Sequence, residues 1–100
     1  MRVSDRSLQC IKAAFKSHFG QDDHLWLFGS RVEDNKRGGD YDFYIESKQD
    51  LDRAVKSESA FVIDLWDGMG EQKIDVVLKL PDSKELPIHR LAKARGIQLI

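Results

Sequence analysis

Apolar positions along the chain fall into a helix, strand, strand, helix, strand, helix order. Leu8, Ile11, Ala14 or Phe15, and His18 or Phe19 recur at helical spacing. Ser4 or Asp5 caps a helix that begins near Arg6, and Gly20 stops it. The run Leu25-Trp26-Leu27-Phe28 reads as a buried strand. Residues 40 to 45, Asp-Tyr-Asp-Phe-Tyr-Ile, alternate acid with aromatic or aliphatic side chains, the period of a second strand. Asp50 caps a helix whose apolar face is Leu51, Ala54 or Val55, Phe61 or Val62, and Leu65, running to about Trp66. Lys56-Ser57-Glu58-Ser59 is a weak spot where that helix is expected to bend. Phe61-Val62-Ile63 alone also reads as a strand, but the longer pattern favours helix. Asp67-Gly68-Met69-Gly70 is the expected stop, with Met69 a packing residue. Lys73 to Leu80 is a third strand, interrupted by Asp75. Pro87 and Gly96 bracket a last helix with Ile88, Leu91, Ala92 and Arg95 on one face. The apolar end, Ile97 to Ile100, either adds an edge strand or docks on a partner, because left bare it invites aggregation.

Length changes this picture little: residues 1–100 make one small domain with one core. The formal net charge of −1 gives no general attraction to nucleic acid or to an anionic membrane. No basic groove interleaved with aromatic residues is evident, so no direct nucleic-acid surface is expected. No apolar run reaches membrane-span length, and Met1 to Arg6 is unlike a signal peptide. Cys10 is the single cysteine, so no internal disulfide forms. A cytoplasmic location is the expectation.

The chemistry concentrates between Phe28 and Phe43. On a strand, Asp40 and Asp42 share one face, roughly 6–7 Å apart. Tyr41, Phe43 and Ile45 point the other way, into the core. Two neighbouring carboxylates repel unless a cation or proton lies between them. All-oxygen sites of this kind suit Mg²⁺ or Mn²⁺. At the end of the first strand, Gly29 lets the backbone approach a ligand closely and Ser30 offers a hydroxyl and an amide, a setting for a phosphate. Arg31 follows directly, either reaching a triphosphate or pairing with an acid of the site. Lys36 and Arg37 are close in sequence, and Gly38-Gly39 turns the chain into the acid strand. On the third strand Ile74, Val76 and Leu78 claim one face, which leaves Asp75 on the other. It faces either the first two acids or solvent, paired with Lys73 or an Arg. Glu71 is a weaker substitute.

Gly29-Ser30, nine residues, then Asp40-x-Asp42, with Asp75 on a later strand, resembles the signature of the polymerase-beta-type nucleotidyltransferase superfamily. The short chain is most similar to its minimal nucleotidyltransferase (MNT) branch, over roughly residues 5 to 98. The resemblance implies an α/β (α+β) fold, a small mixed β-sheet with helices packed on one face and the acids on the other. It implies that Asp40, Asp42 and Asp75 hold two Mg²⁺ ions, or Mn²⁺, and act in catalysis. It further implies that Gly29, Ser30 and Arg31 bind the phosphates of ATP or another nucleoside triphosphate, with Arg37 at the second basic position of the loop. Many relatives have Ser or another polar residue where this chain has Gly39.

By the same resemblance, the reaction is transfer of AMP from ATP to an acceptor hydroxyl, and the acceptor is a tyrosine of a HEPN-domain toxin. The chain would then be the antitoxin of a toxin–antitoxin pair. Two alternatives stand beside this: a non-catalytic module that neutralises its partner by complex formation, and a small-molecule nucleotidyltransferase. The apolar tail and small size also suggest association, including with a second copy. Other polar residues receive plainer readings. Cys10 is a small helix residue, His18 a polar residue near a helix end, and His24 part of a solvated loop. Trp26 is a packing residue, and His89 a doubtful base on a positively charged helix.

Overall fold

The computed structural model describes residues 1–35 and 39–100. Expectations for Lys36, Arg37 and Gly38 lie outside the described residues. The first helix, α1 (Asp5–His18), starts where the Ser4 hydroxyl accepts from the Ser7 amide. Strand β1 (His24–Phe28) follows. A short 3-10 turn, Gly29–Val32, then leads toward β2 (Tyr41–Glu46). Helix α2 (Leu51–Met69) is capped by Asp50, whose carboxylate accepts from the Arg53 amide. Strand β3 (Ile74–Lys79), helix α3 (Pro87–Arg95) and the two-residue strand β4 (Ile97–Gln98) complete the chain.

Among the described residues the strands form one mixed sheet in the order β3-β2-β1-β4. The β1–β2 and β1–β4 pairs are antiparallel, and β2–β3 is parallel. The parallel pair requires a crossover, which α2 supplies. Strand alternation sends Leu25, Leu27, Tyr41, Phe43, Ile45, Ile74, Val76 and Leu78 to one face. There they meet Ile11, Phe15 and Phe19 of the α1 segment and Phe61 and Leu65 of α2. Phe61 is central, edge-on to Phe15, Phe19 and Phe43 at ring separations of 6.2, 6.4 and 5.4 Å. His18 at the end of α1 pairs with Asp64 of α2 at 2.7 Å.

Several local expectations are corrected. Helix α2 is unbroken through Lys56–Ser59, because Ser57 lies on the buried stripe Ala54, Ser57, Phe61, Leu65 and keeps the helical period intact. It also continues past Gly68. A Cβ there would lie 2.4 Å from the Cys10 sulfur, so this glycine serves close helix packing, and Gly70 is the cap. His24 is the first residue of β1 rather than part of a loop, and its Nδ1 is shielded without a hydrogen-bond partner among the described residues. The chain end is paired: the Leu25 amide donates to the Ile100 carbonyl, and the Leu99 amide donates back to Leu25.

The small mixed sheet agrees with the fold expected, and α1 and α2 do cover the face away from the acids. Helix α3 adds to it. It lies across part of the acid face, where Ala92 packs with Trp26 and Tyr44. Trp26 is the packing residue expected, and with Tyr44 it gives α3 an apolar seat on this face.

Candidate active site

The second face of the sheet carries His24, Trp26 and Phe28 on β1, Asp42, Tyr44 and Glu46 on β2, and Asp75, Val77 and Lys79 on β3. Helix α3 divides it. Toward the start of β2, acids stand in the open; toward its end, they are paired. At the paired end the Tyr44 hydroxyl donates to Glu46 at 2.7 Å, and Lys93 of α3 meets the same carboxylate at 3.1 Å. Burial pushes Glu46 upward, but the Tyr44 and Lys93 hydrogen bonds and the Lys93 and His24 charges outweigh it and leave the carboxyl below its usual range. Burial first, then the Glu46 hydrogen bond, pushes the Tyr44 phenol well up. His89 is buried beside Tyr44, and its Nδ1 accepts the Leu86 amide. That makes it a cap for the start of α3.

At the open end, Asp42 and Asp75 are directly opposed across the parallel β2–β3 pair. Asp42 is held above the usual carboxylate range, first by burial, then by the charges of Asp75 and Asp40, with a further contribution from a hydrogen bond to Asp75. Lys73 opposes these effects, and it pairs with Asp40 at 3.5 Å rather than with Asp75. Asp75 itself is solvent-exposed, which is how the strand tolerates a charge in an apolar run.

The Gly-Ser turn is built against these acids. Phe28 is the cross-strand partner of Asp42. The next residue, Gly29, has φ +79°, and a Cβ there would lie 2.3 Å from the Asp42 carboxylate. Gly39 returns on the other side with φ +94°, where a Cβ would lie 2.3 Å from the Ser30 hydroxyl. The glycine before the first acid therefore has a steric reason: a side chain would displace Ser30.

Arg31 is committed to holding this loop together. Its Nε donates to the Gly39 carbonyl at 3.2 Å and its Nη1 to the Arg2 carbonyl at 3.1 Å, and its guanidinium carbon lies 4.2 Å from the centre of the Tyr41 ring. Arg2 answers from the other side, with Nε donating to the Glu33 carbonyl at 2.6 Å and Nη2 to the Ser30 carbonyl at 2.7 Å. The Met1 ammonium bonds Asp34. Sequence reasoning missed Arg2, because nothing in an N-terminal Met-Arg-Val announces contacts some thirty residues away. A cleft of about 380 Å³ adjoins the turn, lined by Phe28, Gly29, Ser30, Val32 and Glu33 and by Leu91 and Arg95 of α3.

The structure thus gathers Gly29, Ser30, Asp40, Asp42 and Asp75 at one end of one sheet face, with Arg31 bracing the loop behind them. Among the described residues, no three His, Cys, Asp or Glu side chains form a ready-made metal cluster. The donor chemistry nonetheless fits a hard divalent cation. Asp42 carries excess proton affinity, first from burial and then from its acidic neighbours, with Lys73 in opposition, and a bound cation would lower it.

The glycine-serine turn is set directly against the Asp42 carboxylate. The chain belongs to the nucleotidyltransferase domain family, whose model matches residues 8–97. No curated protein matches the chain. Family membership assigns nucleotidyl transfer in general, a reaction that such domains carry out on nucleoside triphosphates with a divalent metal. Among the described residues, no helix is long and apolar enough to cross a membrane.

Proposed function

We propose that this chain is a Mg²⁺-dependent transferase of the minimal type, moving AMP from ATP to a tyrosine hydroxyl of a HEPN-domain toxin and so acting as its antitoxin. The observation that carries the catalytic part is the contact between cradle and acids: Gly29 lies so close to Asp42 that only hydrogen fits between them. A phosphate chain seated on the Gly29–Ser30 turn would therefore lie beside the carboxylates. Asp40, Asp42 and Asp75 would hold the metal, which when bound neutralises phosphate charge and lowers the proton affinity of an acceptor hydroxyl. Asp75, exposed and not paired with Lys73, would take the acceptor proton. Gly29 and Ser30 orient the phosphates, and Arg31 keeps the turn in shape through Gly39 and Arg2. In-line attack on the α-phosphorus would form the new phosphodiester bond and release pyrophosphate. Catalysis here is positioning and charge neutralisation.

The partner part of the reading rests on the resemblance to the minimal branch. It also rests on α3, which leaves Ile88 and Leu91 exposed, with Leu86 exposed at its cap, beside the site. The same strip supports the second reading, neutralisation of a partner by contact without transfer. Incubation with ATP labelled on the α-phosphate, Mg²⁺ and a purified HEPN protein separates the two. Label should move to a tyrosine with the natural chain and not with Asp42→Asn. A complex that forms without labelling in either case would leave only the binding module.

A further inference from the structure

We propose that Arg95, at the end of α3, is a cation that binds the nucleotide's phosphates in the cleft beside Gly29 and Ser30; this rests on the nucleotidyltransferase reading above. Arg31, the arginine that sequence position suggests, has its guanidinium on two backbone carbonyls and the Tyr41 ring. Arg95 makes no hydrogen bond or ion pair among the described residues, and it lines the same cleft as the Gly-Ser turn. Its position is fixed by an independent feature of the packing. At the adjoining Gly96, a Cβ would lie 2.3 Å from the Ala92 carbonyl oxygen, 2.8 Å from that of Leu27 and 3.3 Å from the Phe28 Cβ. Only glycine lets α3 end directly on the last residues of β1, one step before Gly29. The carbonyl end of a helix repels anions, so a phosphate lying there needs a guanidinium to offset the helix end. A planar guanidinium also matches two phosphate oxygens at once. Leu91, one turn earlier, and Phe28 give the same cleft an apolar wall for the less polar part of a nucleotide.

The test is calorimetric titration of the full chain with AMP, ADP and ATP, each with Mg²⁺, for the natural chain, Arg95→Gln and Arg95→Lys. The natural chain should gain affinity with each added phosphate. Arg95→Gln should weaken ATP roughly tenfold or more, as expected for one charge-assisted contact, and affect AMP least. Arg95→Lys should recover part of the loss. Thermal melts of the variants should match the natural chain, since Arg95 is exposed. If ATP binds the natural chain and Arg95→Gln equally, this assignment is wrong while the transferase reading stands. If the natural chain binds none of the three nucleotides, both are wrong.

Discussion

The two faces of the sheet are built from the same strands and do opposite things. On one face, side chains at alternate positions of β1, β2 and β3 close against α1 and α2, and Leu25, Leu27, Phe43 and Ile45 are fully buried. On the other, neighbouring positions carry Asp42, Tyr44, Glu46 and Asp75, and one nine-residue helix covers only part of them. Stability is concentrated on the first face, so the second can carry repelling acids at its open end. Even within the second face the acids differ. Glu46 is satisfied by Tyr44 and Lys93, whereas Asp42 faces other carboxylates.

The largest effect should come from the closed face. Phe43→Ala removes a ring that packs on Phe61, and it should cost about 3–5 kcal/mol. In a 100-residue domain that approaches the whole stability, so urea unfolding should show a collapsed or absent native baseline. A loss under about 1 kcal/mol would mean that the contrast between faces is overstated.

At the paired end, Tyr44→Phe removes one hydrogen bond while Lys93 still holds Glu46, and it should cost about 1 kcal/mol. The acid side of the stability profile sharpens this. Glu46 has a depressed pKa, so its contribution is present above the usual carboxylate value and is lost as pH falls through the lowered one. Tyr44→Phe weakens one cause of that depression, so the stability lost on acidification should be smaller in the variant. An unchanged acid limb would show that Lys93 alone sets Glu46.

At the open end, the sign reverses. The pKa of Asp42 is raised in the folded chain, so the folded state favours its proton, and stability is lost as pH rises through the raised value. Asp42→Asn removes that penalty. Near neutral pH it should leave the domain as stable as before or more stable, by less than about 1 kcal/mol after solvent screening. Added Mg²⁺ should raise the melting temperature of the natural chain and not of the variant. A variant that is clearly less stable would show that Asp42 has a structural role like that of Glu46.

Much of this was legible in the sequence because it depends on local periodicity. Alternation in residues 41–45 and 74–78 assigned each side chain to a face, whereas Asp40, expected on the same strand, lies just before β2; Ser4 and Asp50 cap their helices by reaching amides three residues away. The Gly29-Ser30 and Asp40-x-Asp42 pattern marked a turn after β1 and an acid pair at the start of β2, and the structure brings the two together. What was illegible depends on approach between distant segments. The stop expected over residues 67–70 holds, with Gly70 as the cap, but the packing role of Gly68 depends on Cys10, and the contacts of Arg31 depend on Gly39 and Arg2. Helix α3 had a readable start and end, but nothing local said which face it would cover. Periodicity is a property of one segment and survives in the unfolded sequence. Which guanidinium faces the turn, and which glycine is there for packing, depends on surfaces that exist only once the segments have met.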